Sequence, residues 1–245
     1  VGENDVLAPM TGTVLALGVL DATVAFVATR DSVAGPLDLS HVTRMRVEGA
    51  ASDIVITARA DAPLVAEMKG ERRGWDALWH SGWFAGGCPA QGSMRIDGDT
   101  LIVDVGNAAR LFDWSDCSMA ISANLKPEAA VVIEQKAARA RLAGDFSGVE
   151  IKSDAGDLSF EGHATDVSIS GAALRARLVF DRVMQDETIL IAGKMLDASV
   201  KFLVPTPVSY LVEAVASYVD SALPNTPGAK PSITLRGEML RARIE

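Results

Sequence analysis

Residues Gly144 to Gly171 read GDFSGVEIKSDAGDLSFEGHATDVSISG, and apolar residues return in them every nine positions. Set out in nines from Ala129, the chain gives AAVVIEQKA, ARARLAGDF, SGVEIKSDA, GDLSFEGHA, TDVSISGAA and LRARLVFDR, in register to Arg182 without an insertion. The third position holds Val131, Ala140, Val149, Leu158, Val167 and Ala176; the fifth holds Ile133, Leu142, Ile151, Phe160, Ile169 and Leu178. Residues two apart in a strand point to the same side. Each unit therefore predicts a short strand with two inward apolar side chains and an outward, mostly polar fourth position. Gly144, Gly162 and Gly171, at the seventh position, supply corners.

A strand of about five residues followed by a corner of about four suits a β-solenoid or β-roll, in which two or three arms close one coil and coils stack. An antiparallel meander fits less well, because the corners lack the Asn-Gly or Asp-Gly pair of a two-residue hairpin. A calcium-binding nonapeptide roll needs a double glycine and an aspartate two places before the large apolar residue. Here Asp157 and Asp166 directly precede Leu158 and Val167, and Asp145 and Asp154 fall at the eighth position. The repeat is read as packing, with no metal and no cofactor, and its corner aspartates and His163 as solvated turn residues.

Upstream, VTRMRVEGAASDIVITA (residues 42–58) alternates apolar and polar residues around a small-residue turn. Val42, Met45, Val47, Ile54 and Ile56 form its expected inward set. Together with Val149-Glu150-Ile151, Leu158-Ser159-Phe160 and Val167-Ser168-Ile169, set off by Gly or Asp corners, this pattern resembles the bacterial putative-adhesin domains of unknown function over residues 40–200. The resemblance implies an exported, often membrane-tethered β-solenoid or β-roll at the cell envelope, with a role as non-catalytic scaffold or adhesin-like binding protein. It implies an envelope protein or glycan as partner, and a place in the periplasm or at the cell surface.

The composition agrees with a folded, strand-rich chain: 245 residues, about half of them apolar, can bury a sizeable core. A net charge of −9 opposes attraction to phosphate backbones, so nucleic acid is not an expected partner. The expected division is an N-terminal apolar segment, residues 1–35, followed by one β-solenoid-like domain, residues 36–245. Within the first, residues 11–29 (TGTVLALGVLDATVAFVAT) read either as buried strands or as a remnant membrane anchor. Asp21 interrupts the run, which is shorter than a spanning helix of about 20 apolar residues needs.

Three departures from the repeat carry the remaining expectations. The segment RRGWDALWHSGWF places Trp75, Trp79 and Trp83 four apart beside Arg72 and Arg73, the spacing of one face of a short helix. Such a stripe serves either as a packing plug or as a carbohydrate- or partner-binding patch. Cys88 and Cys117 flank the strand pattern SMRIDGDTLIVDV, whose fold-back would bring them together as a disulfide in an oxidising compartment. Finally, Val208, Leu211, Val212, Val215, Val219 and Leu223 share one helical face, which predicts a capping helix over 207–223. No GxSxG, P-loop or HExxH pattern occurs, and no carboxylate pair is singled out by spacing. An enzyme is therefore not expected; the alternative is a glycan-active lyase or hydrolase on a β-helix, with carboxylates converging in a groove.

Overall fold

The computed structural model describes residues 32–72, 92–106 and 117–245. The described chain is mainly β, with no helix among the described residues. Its strands are β1 (Ser32–Asp38), β2 (Arg44–Ala58), β3 (Val65–Arg72), β4 (Gly92–Asp97), β5 (Thr100–Val105), β6 (Cys117–Leu125), β7 (Ala129–Phe180), β8 (Thr188–Phe202), β9 (Ser209–Ser221) and β10 (Ser232–Ile244). They join one sheet in the order β1-β3-β6-β2-β7-β8-β10-β9, with β5 also on β2 and β4 on β5. From β2 to β9 the path is parallel, whereas β1, β3 and β4 add antiparallel pairs at the N-terminal end.

The nine-residue beat sets the register of the parallel region. All twelve third- and fifth-position residues of β7 are at most 4% exposed, as the alternation requires. Met45 and Val47 of β2 lie opposite Val131 and Ile133, and Ile54 and Ile56 opposite Ala140 and Leu142. Further along, Val167, Ile169, Ala176 and Leu178 meet Ile189, Ile191, Ala198 and Val200 of β8, which in turn meet Ile233, Leu235, Ala242 and Ile244 of β10. Like residues stack on like, so every rank buries the same two apolar pairs. Each fully buried Val, Leu or Ile contributes about 1.5–3 kcal/mol, and this column joins Met68, Leu101, Val103 and Ile121 of the flanking strands in one core.

Inside β7, residues 18 apart in sequence are neighbours in space. Lys152 Nζ donates to Glu134 Oε1 at 3.2 Å, 18 residues back. The corner glycines repeat the relation: a Cβ on Gly162, whose φ is 137°, would lie 2.1 Å from the Gly144 carbonyl oxygen. Between β7 and β8 the offset widens to 22, since Asp166 pairs with Thr188 (188 − 166 = 22), and the four extra residues enter the loop 181–187. Within the core a file of aromatic rings runs along the stack: Phe146 to Phe160 at 6.2 Å, Phe160 to Phe180 at 5.3 Å and Phe180 to Phe202 at 5.3 Å between centroids.

Several sequence expectations meet the structure here. The inward set Val42, Met45, Val47, Ile54 and Ile56 is buried. SMRIDGDTLIVDV folds back as the β4–β5 hairpin, turning at Gly98 with φ 61°. The capping helix over 207–223 is not formed: residues 209–221 are β9, paired in register with β10. Its apolar residues satisfy both a helical face and a half-covered strand, and β10 decides between them by offering an open row of backbone partners. Tyr210, Val212, Ala214 and Val219 pack against the core, while Leu211 and Val215 face out. The tryptophan-bearing helical insert and residues 11–29 lie outside the described residues.

Candidate binding surface

Three stretches share a hexapeptide pattern, GAALRA (171–176), GKMLDA (193–198) and GEMLRA (237–242). The register lays them side by side. Ala173 lies opposite Met195, Met195 opposite Met239, and Met239 opposite Ala216 of β9. One residue on, Leu174, Leu196 and Leu240 point inward and are buried; the next row is Arg175, Asp197, Arg241 and Tyr218. At strand spacing of about 4.8 Å, four neighbouring ranks make a ledge about 14 Å long.

The ledge is apolar and exposed. Met195 is 51% and Met239 57% exposed, and Tyr218 at its end is 64% exposed. With Gly156 and Asp157 they line an open, shallow groove of about 790 Å3. Arg175 Nε holds Asp197 Oδ2 at 3.5 Å along one rim. Methionines are flexible and polarisable, which suits a surface that accommodates differing apolar partners. Isolated apolar residues on a surface are ordinary; here the register sets Met195 and Met239 side by side.

The groove ends on β9, the last strand of the sheet. Asn225 caps the start of its outer edge, donating from Nδ2 to the Tyr210 carbonyl at 2.9 Å and accepting from the Tyr210 N–H at 3.0 Å. No other described strand pairs with that edge beyond the Asn225 cap. Leu211 is 52% and Val215 89% exposed on the same strand. Backbone pairing with β10 holds β9 in place, and on that side Arg236 and Arg243 pair with Glu213 at 2.7 Å and Asp220 at 3.5 Å.

The residues singled out from sequence fall elsewhere. Trp75, Trp79, Trp83, Arg73 and Cys88 lie outside the described residues. Arg72 ends β3, its backbone opposite Cys117 at the start of β6. His163, expected to be a solvated turn residue, is only 9% exposed, because the inserted loop 181–187 reaches it. The sequence signal for the groove is the repeated G-x-x-L-x-A pattern, with methionine at the third place in two of its three copies. Beyond the groove, some of the described acidic side chains pair with bases along the strands. Glu134 accepts from Arg46 at 2.8 Å and from Lys152 at 3.2 Å, and Lys152 also holds Glu150 at 2.7 Å. The Glu134 carboxyl sits below the usual carboxylate range, first through the Lys152 hydrogen bond and then through the Arg46 charge.

No protein-family model matches the chain. No curated protein matches it either. Among solved structures it is similar to a putative cell adhesion protein from Clostridium sporogenes, at 8% identity and a TM-score of 0.41, covering 88% of this chain and 99% of that one. A putative adhesin from Bacteroides fragilis is similar at 12% identity and a TM-score of 0.41, covering 88% and 97%. A putative adhesin from Parabacteroides distasonis is similar at 8% identity and a TM-score of 0.36, covering 89% and 98%.

Proposed function

We propose that this chain is a non-catalytic binding protein of the cell envelope, built as a β-solenoid with two nine-residue arms per coil. The 18-residue spacing of neighbours within β7 and the in-register parallel path from β2 to β9 support the coil. Such a stack is quasi-one-dimensional, with each rank resting on its neighbours, and its last rank exposes an edge beside the groove. The exposed Met195–Met239–Tyr218 ledge leading to the open edge of β9 is the observation that carries the binding role. Its partner is an extended protein segment, which would pair its backbone with β9 and lay apolar side chains on the ledge. Two acidic residues, Asp157 and Asp197, line the groove, and Asp197 is paired with Arg175.

A photo-crosslinking side chain placed at Val215 in the producing cell tests the role. A discrete envelope protein is the expected product, lost when Met239 is changed to Asp. The same yield and products from a crosslinker at Arg177, outside the groove, would count against it. Export is supported by a proposed Cys88–Cys117 bridge, the alternative being two unpaired cysteines; mass spectrometry without reductant is the check, and two free thiols in protein taken from the envelope would remove that support. The tryptophan segment, Trp75 to Trp83 with Arg72 and Arg73, is proposed as a second contact for a glycan. Trp79→Ala with Trp83→Ala should abolish glycan-array binding while leaving folding intact.

A further inference from the structure

The loop 181–187 interrupts the repeat and brings three side chains together. Glu187, at its end, is fully buried. Its Oε1 accepts from the Met184 N–H and its Oε2 from the Asp186 N–H at 3.2 Å, while its own carbonyl accepts from Ser232 N–H at 3.0 Å. His163 comes from the preceding rank, directly after the corner glycine Gly162, and is 9% exposed. Its Nε2 lies 3.3 Å from Glu187 Oε1. The approach is not aligned as a hydrogen bond, and Nε2 is left buried without a hydrogen-bond partner. The Asp186 carboxylate completes the group, with ligand atoms of all three residues within 4.8 Å of one another.

We propose that His163, Asp186 and Glu187 form a divalent transition-metal site, with zinc as the best-matched ion. Two ligand atoms each about 2.1 Å from a tetrahedral ion stand about 3.4 Å apart, close to the 3.3 Å between His163 Nε2 and Glu187 Oε1. An imidazole nitrogen with two carboxylate oxygens suits zinc and its first-row neighbours; calcium takes six to eight oxygens, which three side chains including an imidazole do not supply. The two backbone N–H groups on Glu187 orient its carboxylate, the arrangement that holds a ligand ready for an ion. An ion here would join the inserted loop to the rank beneath it and give the buried imidazole nitrogen its missing partner. This site is independent of the groove and of the calcium pattern that the nonapeptide register lacks.

The test uses the full chain, stripped with chelator and titrated with zinc chloride by calorimetry and by thermal unfolding, with calcium and magnesium chloride as comparisons. Zinc should bind and raise the unfolding temperature while calcium and magnesium do not. Asp186→Asn, at an exposed position, should keep the fold and weaken zinc binding by at least about tenfold; His163→Asn should abolish it. Absence of a zinc-specific shift, or undiminished zinc affinity in Asp186→Asn, would overturn the site and leave His163 and Glu187 as a structural pair. Should His163→Asn fail to fold, the Asp186→Asn result decides.

Discussion

Gly162 shows how tightly the corners are drawn. Its φ of 137° is a conformation that side-chain-bearing residues rarely adopt, and a Cβ there would meet the Gly144 carbonyl at 2.1 Å. Gly162→Ala should therefore lower the stability by about 2 kcal/mol or more in urea unfolding. Gly98, at the tip of the β4–β5 hairpin, also has a positive φ, 61°, but nothing lies within 4 Å of its would-be Cβ. Gly98→Ala should cost only about 1 kcal/mol, so the ratio of the two separates close approach from backbone preference. In the core, Phe180 sits between Phe160 and Phe202 and is fully buried. Phe180→Ala should lose about 3–5 kcal/mol by the same measurement. At the surface, Glu134 has its carboxyl held down by Lys152 and Arg46. A carboxyl lowered in the folded state stabilises the fold above its unfolded titration range, and that contribution disappears as pH falls through the folded value. Glu134→Gln should therefore be slightly destabilising at pH 7, and the difference should vanish in acid and shrink with added salt.

At the scale of elements, β9 shows how a helical period of apolar residues is realised as an edge strand. Apolar residues at 208, 211, 212, 215, 219 and 223 satisfy a helical face, yet Leu211 and Val215 project from an edge strand into solvent. A period alone does not say whether an apolar residue is covered by its own chain or kept for another. The nine-residue beat is similarly present beyond β7, in Met45 and Ile54 of β2, Ile189 and Ala198 of β8 and Ile233 and Ala242 of β10. Insertions between these strands hide it from a continuous count. His163 was misjudged for a related reason: what buries it is a loop outside the repeat. Because Val215 is exposed, Val215→Lys should change the unfolding free energy by no more than about 0.5 kcal/mol. The same substitution should weaken partner capture by β9, since an edge lysine discourages added strands.

For the whole molecule, the quoted stretch from Gly144 to Gly171 was enough to give strand, corner and inward face, because those follow from alternation and glycine placement. Neither the number of arms per rank nor the Met195–Met239 ledge followed from it, since both depend on which residues lie beside each other across strands. The 18-residue relation of Glu134 to Lys152 and of Gly144 to Gly162 is the observation on which the proposed two arms rest. In the proposed two-arm coil two nines make one rank, and a stack of such ranks should tolerate loss of a whole rank better than loss of half of one. Removal of residues 147–164 would take out one interior rank and leave Gln135 stacked under Gly171, whereas removal of 147–155 would exchange the two corner rows in everything that follows. Urea unfolding of these two deletions tests the coil most directly. A single cooperative transition for the 18-residue deletion, with no folded state for the nine-residue one, is the expected result; equal loss of folding in both, or better folding of the shorter deletion, would contradict the two-arm coil.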